Sequence, residues 1–102
     1  FLYNSEGAKI NAGNVSNILK YIPNAIIRSQ FIQNTLKEVT LFLEVDEKLY
    51  KSHYDSLIEK EFVQKFGKNT KLNIKHVKEI PREKSGKFRM IKNNVGDTFN
   101  KK

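Results

Sequence analysis

Between Glu38 and Val45 the chain alternates without a break, with Val39, Leu41, Leu43 and Val45 at one parity and Thr40 and Glu44 at the other. Successive side chains on a strand point to opposite faces, so this stretch predicts a strand with one face in a core and one facing out. The preceding run, residues 25–33 (AIIRSQFIQ), reads as a second strand. The connection Asn34-Thr35-Leu36-Lys37 is short enough to make the pair an antiparallel hairpin. The hairpin's apolar face needs a cover, and the flanking sequence supplies two. Tyr50, Tyr54, Ile58, Phe62 and Phe66 recur every fourth residue, with Leu57 filling the stripe, which predicts a long amphipathic helix. Asp46 is placed to cap it, with Glu47 in its first turn, and Gly67 to end it. His53 lies beside the stripe as a partly exposed filler. Upstream, Asn14 is positioned to cap a shorter helix whose Val15, Ile18, Leu19 and Ile22 form one stripe, ended by Pro23-Asn24.

The remaining elements complete the order. Residues 1–3 and 8–11 flank the turn-forming set Asn4-Ser5-Glu6-Gly7 and predict a small hairpin. Leu72, Ile74 and Val77 give a last strand, with His76 expected on its polar face. Counting the hairpin's second arm as a strand, the order is β-α-β-β-α-β. The expected fold class is α+β: a small antiparallel, ferredoxin-like sheet with two helices packed on one face, preceded by a β-hairpin. A chain of 102 residues suits one domain. It is expected to occupy residues 1–92, with residues 93–102 as a flexible tail.

Composition removes several function classes. Without cysteine there is no disulfide framework, thiolate metal site or cysteine nucleophile. The two histidines, His53 and His76, lack partners at metal-binding spacing. No apolar run is long enough to span a bilayer and no signal-peptide pattern occurs, so a cytoplasmic protein without a membrane partner is expected. The apolar start at Phe1 suggests a cut inside a longer protein. Net charge is +8, unevenly distributed: residues 1–80 carry 12 basic and 9 acidic side chains, residues 81–102 carry 7 and 2. Positive charge therefore gathers in the last fifth of the chain.

Its centre is Ile80-Pro81-Arg82-Glu83-Lys84-Ser85-Gly86-Lys87-Phe88-Arg89. Pro81 stiffens the start, and Gly86 permits backbone angles and close approach denied to other residues. Lys87 follows a Ser-Gly step, where an ammonium can reach an anion that the rest of the fold does not touch. Other readings of the chain are a small basic nucleic-acid-binding module or a ligand-binding regulatory module. RNA-recognition domains share the element order but carry stacking aromatics and a glycine on a central strand. Residues 38–45 hold only Phe42, no glycine and two acids. No triad, carboxylate pair or phosphate-cradling Gly-rich loop is present, so a complete active site is not expected.

The residues 80–89 resemble the closing motif of adenylate-forming enzymes. The likeness is greatest to the branch containing phenylacetate–coenzyme A ligases and related proteins of capsular polysaccharide clusters, where Ile-Pro-Arg-x-x-Ser-Gly-Lys-Phe-Arg ends the C-terminal domain. Upstream stretches fit in order and spacing: Gly7-Ala8-Lys9-Ile10 is similar to the family's hairpin, residues 14–22 to its short helix, and residues 26–33 to its strand with two spaced glutamines. The resemblance covers about residues 3–92. It implies a mobile C-terminal domain of a ligase that joins a carboxylate substrate to AMP and passes the acyl group on. The large N-terminal domain, with the Gly-Arg-x-Asp-Asp type hinge expected just before Phe1, would be the partner. It would bind ATP and magnesium; coenzyme A is the implied acceptor, and this chain alone would bind none of them or turn over. Lys87 matches the family's adenylation lysine. Arg82, Ser85, Gly86 and Arg89 would shape the phosphate-facing loop, and Gly7, Lys9 and Ile10 would form an acceptor-side hairpin.

Overall fold

The computed structural model describes residues 1–22, 24–82, 86 and 88–95. Strands β1 (Leu2–Tyr3) and β2 (Lys9–Ile10) pair antiparallel as the expected hairpin, followed by helix α1 (Ala12–Asn17). Strands β3 (Ile26–Thr35) and β4 (Glu38–Val45) form the central antiparallel pair, turning tightly at Leu36-Lys37 between the partners Thr35 and Glu38. Helix α2 (His53–Phe66), β5 (Lys71–His76) and β6 (Ile91–Asn93) complete the chain.

The class is α+β, with two helices against one face of a four-stranded sheet ordered β5-β4-β3-β6. The sheet is mixed, not antiparallel. Helix α2 carries the chain back before β5 begins, so β5 enters parallel to β4, as a helical crossover requires. At the other edge β6 runs parallel to β3. The hairpin arm β2 pairs only with β1 and forms a separate two-stranded sheet. A ferredoxin-like order would put that arm between β4 and β5; here those two strands pair directly, and the sheet instead gains β6 beside β3, a strand with too short an apolar run to stand out in the sequence.

The core follows the alternation of β4. Val39, Leu41 and Leu43 are fully buried and meet Phe31 of β3, Val15, Ile18 and Ile22 from the first helical segment, and Ile58, Phe62 and Phe66 of α2. The Phe62 and Phe66 rings stack at 4.2 Å. Burial of such side chains contributes roughly 1.5–3 kcal/mol each relative to exposure. Leu57 is 38% exposed and does not fill the stripe.

Both helix starts differ from the expected caps. Asn11, not Asn14, caps α1: its extended backbone (φ −68°, ψ 162°) lets Oδ1 accept from the Asn14 N–H at 2.8 Å. Asn14 is thus the residue capped. Asp46 does not begin α2. Its Oδ1 accepts from the Lys48 N–H, and its carbonyl accepts from Leu49 and Tyr50, which closes a local turn. The helix restarts at His53 after Ser52. Its end is as expected: Gly67 (φ 83°) donates its N–H to the Val63 carbonyl. Of the pair expected to end the first helix, Pro23 lies outside the described residues.

The packed part also reaches beyond residue 92. Asn93 belongs to β6, Val95 is buried, and the Asn94 N–H donates to the Gln33 carbonyl at 2.8 Å. Residues 93–95 are therefore part of the fold and not of a tail. Among the described residues no helix is long and apolar enough to cross a membrane.

Candidate functional site

With both helices on one face, the other sheet face carries Arg28, Gln30 and Ile32 from β3 beside Thr40, Phe42 and Glu44 from β4, paired Arg28–Glu44, Gln30–Phe42 and Ile32–Thr40. Lys92 of β6 sits beside Ile32, and Lys75 of β5 beside Phe42. Described residues of the basic motif, Ile80, Pro81, Arg82 and Arg89, lie on this helix-free face. After β5, the Val77 N–H still donates to Leu43, and the chain then turns onto the face.

Two side chains fix the motif at its first and last residues. The Ile80 N–H donates to Glu44 Oε1 at 2.5 Å, and Ile80 itself is buried. At the other end Gln30 Nε2 donates to the Arg89 carbonyl at 2.9 Å, followed by the Phe31 N–H to the Met90 carbonyl at 2.8 Å. Glu44 and Gln30 are each only 7% exposed although they lie on the face away from the helices. Arg28 Nη1 stands 3.9 Å from the Glu44 carboxylate and supplies a partner of opposite charge. Glu44, expected to face solvent, is covered because the loop folds over it.

Between the fixed ends lies a groove of about 470 Å³, with Ile32, Phe42 and Gln30 as its sheet side and Val77, Glu79, Pro81 and Arg82 as its loop side. Arg82 and Arg89 are exposed, and Gly86 has φ 78°, a left-handed conformation in which other side chains are strained. The loop thus carries two guanidinium groups and a glycine of the required geometry. Lys87 and Ser85 lie outside the described residues.

The hairpin residues expected on the acceptor side lie across the sheet from the motif. Gly7 (φ 84°) closes the turn by donating its N–H to the Asn4 carbonyl at 3.0 Å, while Asn4 Oδ1 accepts from Glu6 and Ala8. Lys9 Nζ sits 4.8 Å from the centre of the Phe1 ring, and Ile10 packs against the core. The hairpin is fastened through Gln33, which is fully buried on the helix face: it accepts from the Tyr3 N–H and donates to the Tyr3 carbonyl, both at 2.7 Å. Gly7, Lys9 and Ile10 therefore belong to the helix side of the sheet and the motif to the other. They do not form one site.

A third polar group joins α2 to β5. The Tyr50 hydroxyl donates to the Asp55 carboxylate, and His76 Nε2 lies 3.0 and 3.2 Å from its two oxygens. Parallel register places His76 beside Leu43, on the helix face and not on the polar face expected for it. Burial, then the hydrogen bond to Asp55 and its charge, raise the Tyr50 pKa well above the ordinary phenol value, so the ring stays a donor. No group of three or more His, Asp or Glu among the described residues could hold a metal ion.

Gln30 and Glu44 are the residues that sequence reasoning passed over. A signal was present: two glutamines three apart in one strand must face opposite ways, so each needs its own partner.

A small α+β domain has one sheet face in its core and uses the other to hold the first and last residues of a basic motif. The sequence matches the CapK C-terminal domain family over residues 2–94, and the chain belongs to that family. It is 28% identical over 95 residues to Protein CapK of Staphylococcus aureus, a match covering 93% of this chain and 21% of that protein. The chain thus spans about a fifth of the length of the curated relative it matches. No solved structure matches it.

Proposed function

We propose that this chain is the C-terminal lid of a longer ATP-dependent, adenylate-forming ligase in capsule biosynthesis, and that it delivers Lys87 to the reacting phosphate. The observation that carries the reading is the motif itself, held at its first and last residues on a face that no helix covers. A segment held at both limits, with Arg82 and Gly86 exposed between them, would reach into a neighbouring domain while its base stays in place. Capsule biosynthesis is suggested by the motif's likeness to proteins of capsular polysaccharide clusters, and the family match is compatible with it.

Attack of a carboxylate on an α-phosphate concentrates negative charge on the phosphoryl oxygens and the incoming oxygen. An ammonium brought there as a compact point charge favours the transition state over the ground state. Arg82 and Arg89, on either side, would steer the phosphates and meet acidic groups of the partner domain. Nucleotide and magnesium would be held by that larger domain. The placement of the hairpin and the motif on opposite sheet faces suits a lid that shows one side for adenylation and the other for transfer to an acceptor such as coenzyme A.

The test is Lys87→Ala in the longer protein that carries this domain. ATP–pyrophosphate exchange is expected to fall by roughly a hundredfold or more, the scale of losing one preorganised charge contact in a transition state. Acyl transfer from supplied acyl-adenylate should remain. Exchange at the unsubstituted rate would refute the assignment.

A further inference from the structure

The buried Ile80 anchors the start of the motif. Two side chains of the sheet also grip its backbone, one at each limit, and they differ in kind. Glu44 accepts from an N–H, and Gln30 donates to a carbonyl. They stand on neighbouring strands of the same face, and each is nearly buried. Because they bind main-chain atoms, the grip does not depend on the identity of the motif's side chains.

We propose that Glu44 and Gln30 are positioning residues that set where residues 81–88 project, and through them the reach of Lys87. This rests on the proposed function for the role of Lys87, while the grip itself can be measured without it. Glu44 is the stronger of the two. A carboxylate accepting a backbone N–H is a charge-assisted bond, stronger than the neutral amide-to-carbonyl bond made by Gln30. Arg28 Nη1 stands 3.9 Å from the same Glu44 oxygen, Oε1, that accepts from Ile80, and opposes the carboxylate with positive charge.

Two measurements separate the grip from the catalytic reading. In this chain, Glu44→Leu removes the acceptor at similar volume, and Glu44→Gln retains an acceptor oxygen as the rescue variant. Hydrogen exchange at the Ile80 amide is expected to accelerate roughly 10- to 100-fold in Glu44→Leu and only a few-fold in Glu44→Gln, with the Leu41 and Leu43 amides unchanged. Gln30→Glu replaces the donor with an acceptor facing the Arg89 carbonyl, and tryptic cleavage after Arg89 should accelerate by at least tenfold. Unchanged Ile80 exchange in a folded Glu44→Leu protein overturns the proposal. Equal acceleration of Ile80, Leu41 and Leu43 also overturns it, since that is general destabilisation.

In the longer protein, the same variants should lower kcat for ATP–pyrophosphate exchange about tenfold or more at unchanged KM for ATP, with Glu44→Gln restoring most of the rate. If Lys87→Ala abolishes exchange and the Glu44 and Gln30 variants leave kcat intact, the positioning role falls and the lysine's role stands. If Lys87→Ala exchanges normally, the catalytic reading falls, and the proposed reach of Lys87 falls with it.

Discussion

Gln33 and Gln30 are the same residue on the same strand, three positions apart, and they hold different kinds of structure. Gln33 points to the helix face, is sealed from water, and copies a strand partner by pairing with both the N–H and the carbonyl of Tyr3. Gln30 points to the helix-free face and makes one bond, to the Arg89 carbonyl of the motif. The first fastens the hairpin as permanently as a ladder does. The second holds the main chain of the motif at Arg89. The number of bonds and the element held, not the residue type, make one connection part of the core and the other a support for the last residue of the motif.

The comparison can be broken most severely at Gln33. Gln33→Leu removes the side-chain partner of both the buried N–H and the carbonyl of Tyr3. It should cost about 3 kcal/mol, at roughly 1–3 kcal/mol for each stranded group, read as a lower urea midpoint. Gln30→Leu strands one carbonyl beside an open groove, where water can replace the lost donor. Its expected cost is about 1 kcal/mol or less. Equal losses for the two would mean that the helix-free face is as closed as the core.

The smallest effect sharpens the contrast within the helix face itself. The Tyr50–Asp55–His76 group stands at the margin of that face and not beneath it. Since the folded-state pKa of Tyr50 is raised, its stabilising contribution is complete below the unfolded value, about pH 10. It is lost as pH rises from there toward the folded value. Thermal scans at increasing pH should show a steeper alkaline decline for the native chain than for Tyr50→Phe, with the two running parallel at neutral pH. Parallel curves through pH 11 would remove the Tyr50 contribution.

What could be read in the sequence divides along the same line. Strand β4 was legible to its limits, because a half-buried strand writes its burial as strict alternation. The spacing of Ile58, Phe62 and Phe66 gave the buried stripe of α2 for the equivalent reason at helical period. Strand β6 was not legible. Three residues of intermediate burial produce no periodicity, and their pairing depends on β3 lying across the molecule. Helix starts were displaced because several residues near each start can cap. Asn11 prevails over Asn14, and Asp46 is taken by its own turn. The motif was legible as a charged stretch with a likeness to a known family, but its supports were not. Glu44 obeys the alternation and reads as solvent-facing until the loop that covers it is in place.

The supports also fix an order in time. The β3–β4 hairpin closes through neighbouring residues, whereas Gln30 meets Arg89 across a separation of 59 positions. Contacts that distant carry a larger loop-closure cost and tend to form after the local ones. Substitutions at Gln30 and Glu44 should then appear in the unfolding rate and hardly in the folding rate, whereas substitutions at Leu41 should slow folding. On the ribosome the same order means that Arg89 meets Gln30 only after the β3–β4 hairpin has emerged and closed.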